Sequence, residues 1–451
     1  MSQLDSAVAR GEIPAQQITQ GGFSRSFYMA NAMEIFERLA WYGFFTLSSL
    51  YMSTPLAEGG LGFSDGQRGF LQGAIPFLLY LLPVFTGALG DRYGYRRMFL
   101  LAFAIMTPSY YLLGQVHAFW AFFAVLLAVA LGAAIFKPLV VATVSRTTGD
   151  HNRGLGFGIF YTMVNVGGFV GPLVAGLVRA VSWDRVFAMA SLWIAINFAL
   201  LLFYREPVQS GETKKPRSVL REIGTVLRNR PFVVYLLLMS GFWACYNQIF
   251  ITLPLYIRDF VDTAPMLAWI QGWSPSLAEA VATGGASQVG PEFIIAFNFA
   301  SILLLQIAIS KRCQRLPVMP LLMGGTLLLA AAFLWLGFGP LLGGAGLVAA
   351  VLIFSLGEMF ASPKSQEYVA AVMPRDRAAM FMGYYFLSMA LGFLLAGFLS
   401  GWGYGTLAKE WGRPDLMWGC FALIAVASAG GLYWFDRSMA RQLAAQKEVH
   451  R

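Results

Sequence analysis

Apolar runs of about 20 residues, the length that crosses the hydrocarbon core of a bilayer, recur along this chain. Five charged residues sit inside them: Glu34, Glu37, Arg38, Lys137 and Glu358. A charge at the bilayer centre costs roughly 2.5–3.5 kcal/mol. Left unpaired, the five would cost on the order of 12 kcal/mol, as much as the whole net stability of a typical domain. They are tolerable only if they pair with one another or face water inside a helical bundle, and such residues line paths for ions or solutes.

Composition agrees: 57% of residues are hydrophobic and 12% charged, against about 25% charged in soluble domains. The runs fall near 27–51, 68–89, 98–115, 118–143, 154–179, 186–204, 231–257, 292–310, 317–338, 342–370, 379–403 and 414–436. Of the 32 Lys and Arg, six lie in odd-numbered loops or at their edges (Arg68, Arg179, Arg185, Arg258, Lys409, Arg413) and three within spans (Arg38, Lys137, Lys364). The rest fall on the other face, which the positive-inside rule makes cytoplasmic. The expected fold is an all-α membrane protein of 12 transmembrane helices in two six-helix bundles, both termini cytoplasmic. Its divisions are a tail over 1–26, bundles over 27–204 and 231–436, a linker over 205–230 and a tail over 437–451. The net charge of +9 then reflects topology and not nucleic-acid binding, and the expected surroundings are a lipid bilayer, the bacterial inner membrane.

The first 25 residues are polar and the first apolar run is long enough to span, so no cleaved signal is expected. The linker is basic, with apolar residues at helical spacing, and reads as a short interfacial helix. The loop near 258–291 carries Trp269 and Trp273 and is too polar to span; it either lies on the membrane surface or closes as a lid. The three cysteines form no paired motif, so no metal site or disulfide framework is expected. No nucleophile–base set is present, and no enzyme is expected. The histidines, His117, His151 and His450, fall in loops or the tail, so protons crossing this chain would ride on carboxylates.

Between spans 2 and 3 stands Gly87-Ala88-Leu89-Gly90-Asp91-Arg92-Tyr93-Gly94-Tyr95-Arg96-Arg97. It resembles the G-x-L-x-D-R-x-G-R-[RK] loop of the major facilitator superfamily, in the position expected there. The resemblance implies a conformational role for Gly87, Asp91, Arg92, Gly94 and Arg96, with no contact to substrate. The matching loop of the second half, Lys311-Arg312-Cys313-Gln314-Arg315, keeps only basic character.

Span 1 reads Glu34-Ile35-Phe36-Glu37-Arg38-Leu39-Ala40-Trp41-Tyr42-Gly43. Spacings of three and four put Glu34, Glu37 and Arg38 on one helix face, which must point inward. The stretch resembles the E-x-x-E-R-F-x-Y-Y-G motif of the proton-coupled oligopeptide transporters, a branch of the same superfamily. Tyr80 in span 2, Gly132 to Pro138 around Lys137, Phe160 to Gly168 around Asn165, Phe242 to Gln248, Asn298, Gly357 to Pro363 and Met382 to Leu387 resemble further segments in the same order. The resemblance implies alternating access in a monomer, with short peptides or analogues as substrates, protons as coupling ion and no other cofactor. It assigns proton coupling to Glu34, Glu37, Arg38 and Lys137. It assigns substrate binding to Tyr42, Tyr80, Lys137, Asn165, Trp243, Tyr246, Asn247, Asn298, Glu358 and Tyr385, with Lys137 and Glu358 facing each other across the cavity. The residues themselves also allow a static buried network at Glu34, or a carrier, inward or outward, of another amphipathic or anionic metabolite or drug.

Two departures stand out. The basic residue two positions after the span 1 glycine and the acidic residue before the span 7 glutamine are replaced by Phe45 and Asn247. The external ion pair they would form is absent, and closure there is expected to rest on packing. Lys364 and Glu367, three apart after Pro363, either pair with each other or add a cation to the inner cavity.

Overall fold

The computed structural model describes residues 22–86, 89–149, 152–207, 224–226, 228–282, 288–372 and 378–449. Twelve helices of 17 residues or more form among them: α1 (Arg25–Ser53), α2 (Asp65–Leu81), α3 (Tyr95–Leu113), α4 (Phe119–Arg146), α5 (Arg153–Arg179) and α6 (Trp183–Phe203), then α7 (Arg230–Tyr246), α8 (Pro291–Cys313), α9 (Val318–Gly337), α10 (Gly339–Val372), α11 (Ala378–Trp402) and α12 (Pro414–Val449). Each falls on one of the apolar runs. Ten helices among the described residues are long and apolar enough to cross a membrane. The exceptions are α1, which carries Glu34, Glu37 and Arg38, and α3, which opens on Tyr95-Arg96-Arg97.

The helices pack in a pattern that repeats after six. α1 lies against α5 and α6 as α7 lies against α11 and α12; α3 lies against α4 and α6 as α9 lies against α10 and α12; α2 packs on α4 as α8 packs on α10. The halves meet along two seams that exchange under the same offset, α2 with α11 and α8 with α5. At the first seam the backbones nearly touch: a Cβ on Gly69 would lie 2.5 Å from the carbonyl oxygen of Gly397, and one on Gly73 3.1 Å from that of Leu394. Small residues allow this close approach, the usual way helices adhere without a hydrophobic driving force.

Ser26 near the start of α1 donates to the carbonyl of Arg205 just beyond α6, and Tyr235 near the start of α7 packs against Phe435 late in α12. Ser49 near the end of α1 donates to the carbonyl of Ile251 beyond α7. The start of α1 and the end of α12 therefore lie at the same end of the bundle.

The run expected as one span over 231–257 is interrupted: α7 stops at Tyr246, and two short helices, Gln248–Ile251 and Leu253–Phe260, continue it. Pro254 stands in the first turn of the last of these helices, where its missing N–H is tolerated. The Ile251 carbonyl accepts from Ser49 and Arg68. The loop after it forms two short helices, Ala264–Trp273 and Pro275–Val281, with Trp269 and Trp273 exposed. The α11 end winds on through a π-helical turn over Gly403–Glu410, and α12 continues through Val449, where a tail was expected. Most of the linker helix expected over 205–230 lies outside the described residues; Gly224 to Val226 are helical.

Candidate functional site

Four of the five intramembrane charges meet. On α1, Arg38 Nε lies 2.5 Å and Nη2 2.6 Å from the two carboxylate oxygens of Glu37, and Nε lies 3.4 Å from Glu34 Oε1. Lys137 of α4 donates to the same Glu34 oxygen at 3.1 Å. Glu34, Glu37 and Arg38 are buried, whereas Lys137 keeps 24% of its side-chain surface exposed. The i,i+4 geometry read from the sequence is thus realised. Glu34 Oε2 has no hydrogen-bond partner within the protein.

Glu358 of α10 stands apart from this cluster, and the cross-cavity pairing with Lys137 is not formed. Its carboxylate accepts from Asn298 Nδ2 at 2.9 Å. Glu34 already satisfies Lys137, which leaves Glu358 without a cation among the described residues. Tyr42 lies beside the cluster, with the Arg38 guanidinium carbon 5.5 Å from its ring centroid. Its ring packs edge-on to Phe299 at 5.1 Å. With all groups ionised, the site holds three carboxylates (Glu34, Glu37, Glu358) and two cations (Arg38, Lys137). One negative charge is unmatched, and it falls at Glu358.

A cavity of about 370 Å³ opens between α2, α4 and α11, with Tyr80, Pro83, Lys137, Tyr384 and Phe386 in its wall. Lys137 is the charged group there; the remaining wall is apolar or aromatic. Tyr80 lies flat against Phe386 and Phe393, with ring centroids 6.4 and 5.5 Å apart. Tyr80 and Lys137, both expected in the site, line this wall, as do Tyr384 and Phe386, which flank the expected Tyr385 and were not among the expected residues. Tyr385 itself is buried in the second half, where its hydroxyl meets Ser365 at 2.5 Å and Trp243 Nε1 at 3.2 Å.

Two expected amides do not face the cavity chemistry. Asn165 donates to the carbonyl of Tyr161 and Asn247 to that of Trp243, each one turn back on its own helix; short polar side chains often close on their own backbone in this way. Asn298 does reach the site, donating to Ser355 and Glu358. Lys364 pairs with Glu367 at 2.8 Å, the local pairing that the i,i+3 spacing allowed.

The loop after α2 is tied to its own half. Arg146 at the end of α4 donates to Asp91 at 2.7 Å and stacks on Tyr95, and Tyr95 donates to Asp91 at 3.0 Å. The N–H of Arg96 donates to Glu206 at 2.7 Å. Gly94 has φ +89°, a backbone region open to glycine and costly for other residues. Arg92 lies over the ring of Tyr93. Gly87 lies outside the described residues.

At the end opposite the termini, the Phe45 and Asn247 positions carry no ion pair. Phe45 stacks on Trp41 with centroids 5.2 Å apart and meets Phe393 edge-on at 5.9 Å, so packing does contribute as expected. Arg68, which the sequence put at the loop edge, is a further contact there. It is fully buried and bonds to Gln72, Ser400 and the Ile251 carbonyl.

Two six-helix units packed along two seams, with a buried cluster of charges and a partly exposed lysine, are the architecture of a membrane carrier. Residues 33–397 match the Major Facilitator Superfamily, and the chain belongs to that superfamily, whose members are transporters and not enzymes. The multidrug resistance protein MdtH of Edwardsiella ictaluri is 24% identical over 410 residues, covering 88% of this chain and 90% of that one. The MdtH protein of Yersinia pestis is 24% identical over 364 residues, covering 79% and 82%. Among solved structures, a peptide transporter POT in complex with sulfate superposes with TM-score 0.77 at 19% identity, covering 96% of this chain and 99% of that one. A POT family transporter in complex with 5-aminolevulinic acid gives 0.76 at 18%, covering 94% and 98%. The nucleoside transporter NupG gives 0.70 at 14%, covering 91% and 99%. At these identities the superpositions establish the fold.

Proposed function

We propose that the protein is a proton-coupled carrier of small amphipathic solutes bearing an amine, working by alternating access in a bacterial inner membrane. The observation that carries this reading is the carboxylate of Glu358, partly buried and with no paired cation among the described residues. A charge drawn out of water without a counter-ion is costly, so Glu358 calls for either a proton or a cationic group from the substrate. Asn298 fixes its direction, and the aromatic rings around it and along the cavity wall suit an apolar or aromatic body.

Twelve spans, with bundles over 27–204 and 231–436 rocking about a central site in a monomer, supply the moving parts. The positive-inside distribution puts both termini in the cytoplasm, so the cavity at Lys137 opens inward and the opposite end is shut. Within the relay, a proton arriving at Glu34 or Glu37 releases Lys137 or Arg38 from its partner. The freed cation then seeks a new anion, and this couples protonation to substrate or to helix movement.

A second reading, symport of di- and tripeptides, is favoured by the exposed part of Lys137, which a peptide carboxylate can reach once Glu34 is protonated. Against it, the basic residue of the span 1 pattern is Phe45, and both remaining cations already have carboxylates. The names of the relatives support the first reading, and the ligands of the structural neighbours are compatible with either. Purified protein in liposomes separates them. Hydrophobic amines driven against an opposing proton gradient, with no peptide uptake, support the first. Peptide uptake with an inward proton gradient supports the second. No gradient-driven flux of either class overturns both.

A further inference from the structure

Two buried polar clasps close the end opposite the termini, one in each seam, and the six-helix offset relates them. In the α2–α11 seam, Ser64 and Gln67 cap each other's backbone in a reciprocal box, which fixes the start of α2 and drives Arg68 inward one turn later. Arg68 Nη1 donates to Ser400 Oγ at 2.9 Å and Nη2 to the Ser400 carbonyl at 3.2 Å, both on α11. Nη1 also reaches the Ile251 carbonyl at 3.4 Å. From its own helix, Gln72 at 3.0 Å and Asp65 at 3.4 Å hold the guanidinium. Thr252 Oγ1 donates to Ser400 Oγ at 2.8 Å, and Lys409 pairs with Asp65 at 3.2 Å across the same seam.

In the α5–α8 seam, Glu292 in the first turn of α8 pairs with Arg179 at the end of α5 at 3.3 Å. Its side chain is 1% exposed, Arg179 lies over the Trp183 ring, and Gly176 and Gly290 leave the room it fills, since a Cβ on either would lie within 3 Å of it. Neither clasp belongs to the charge relay, and each joins the first six helices to the last six.

We infer that Arg68 and the Arg179–Glu292 pair are the two gate clasps at this end, and that both must break in every transport cycle. The inference rests on the alternating-access reading: separating α2 from α11 and α5 from α8 pulls a guanidinium off backbone carbonyls in one seam and splits an ion pair in the other. Buried groups so satisfied resist opening until water replaces the lost partners. This would compensate for the missing ion pair at Phe45 and Asn247.

The test uses full-length protein in lipid nanodiscs, spin-labelled at the exposed residues Leu56 in the first half and Trp411 in the second, with distances read by pulsed EPR. R68A, S400A and E292Q should each raise the fraction of a longer-distance population several-fold, while R413A, which removes a rim pair within one half, should not. S400A leaves Arg68 its Asp65 and Gln72 partners, so it stays informative if R68A fails to fold. Folded S400A and E292Q proteins with wild-type distance distributions would overturn the inference, as would an equal shift from R413A. The measurement needs neither substrate nor proton gradient: opening without flux of the tested solutes would count against the substrate reading and leave the gate standing.

Discussion

Lys137 Nζ lies 3.1 Å from Glu34 Oε1, and this ion pair joins helix 4 to helix 1 across 103 positions of sequence. Removing one partner of a buried pair strands the other, at about 3–5 kcal/mol. Lys137 is partly exposed, so K137A should lose about 3 kcal/mol, the low end of that range. E34Q in the K137A background should recover most of the loss, because no charge is then stranded. Thermal unfolding of the two singles and the double measures the coupling. Equal losses in K137A and the double variant would mean that the pair contributes none.

Glu358→Gln removes the unmatched charge yet keeps an oxygen for Asn298. Stability should change by less than about 1 kcal/mol. Affinity for an amine-bearing substrate should fall by roughly 10- to 100-fold, the equivalent of about 1.4–2.8 kcal/mol. Isothermal titration or scintillation proximity on purified protein reads this, and unchanged affinity would remove Glu358 from the binding site.

Glu37→Gln should abolish gradient-driven flux and spare counterflow. The substitution leaves Arg38 with Glu34, so the relay keeps one carboxylate for its guanidinium while losing a group that can carry a proton. Gradient-driven flux at the wild-type rate would take Glu37 out of the proton route.

Gly69→Ala tests the α2–α11 seam. The added Cβ would lie 2.5 Å from the Gly397 carbonyl oxygen, which forces the backbones apart. A loss of about 1–3 kcal/mol is expected from such overpacking. The same change at Gly66, whose Cβ meets nothing within 4 Å, should have little effect on the melting temperature.

Asp262, in the loop before α8, accepts from the Ala264 N–H and from Gln288 Nε2, each at 2.9 Å. These bonds hold its carboxyl below the ordinary aspartate value. A depressed folded-state pKa contributes above the unfolded value, about 3.9, and the contribution fades as pH falls through the folded value. The clasp between Asp262 and Gln288 should therefore be intact at neutral pH and loosen only below about pH 4. Fluorescence of Trp269 and Trp273 across that range, compared in wild type and Asp262→Asn, checks the direction.

The helices were legible because a membrane helix must be largely apolar: each of the twelve runs holds a helix of 17 residues or more, and ten of these helices are long and apolar enough to cross a membrane. The face shared by Glu34, Glu37 and Arg38 was legible too, since spacing alone sets which residues share a helix face. The burial of Arg68 was not legible, because an arginine at a span edge looks like an interfacial residue until its neighbours on α11 and in the short helix after α7 are known. The Lys137–Glu358 pairing failed for the same reason: opposite charges attract whichever partner packing brings nearest, and that was Glu34.

By itself the sequence determined that this chain crosses a membrane many times, and that a few charges are kept inside it at a cost only function repays. It did so because insertion energies are local and additive along a helix. The tertiary structure decided which charge answers which: Arg38 and Lys137 to the carboxylates of helix 1, Arg68 to helix 11, Arg179 to Glu292, and nothing to Glu358. Those pairings join residues from one to 332 positions apart, and only the packing of helices sets them.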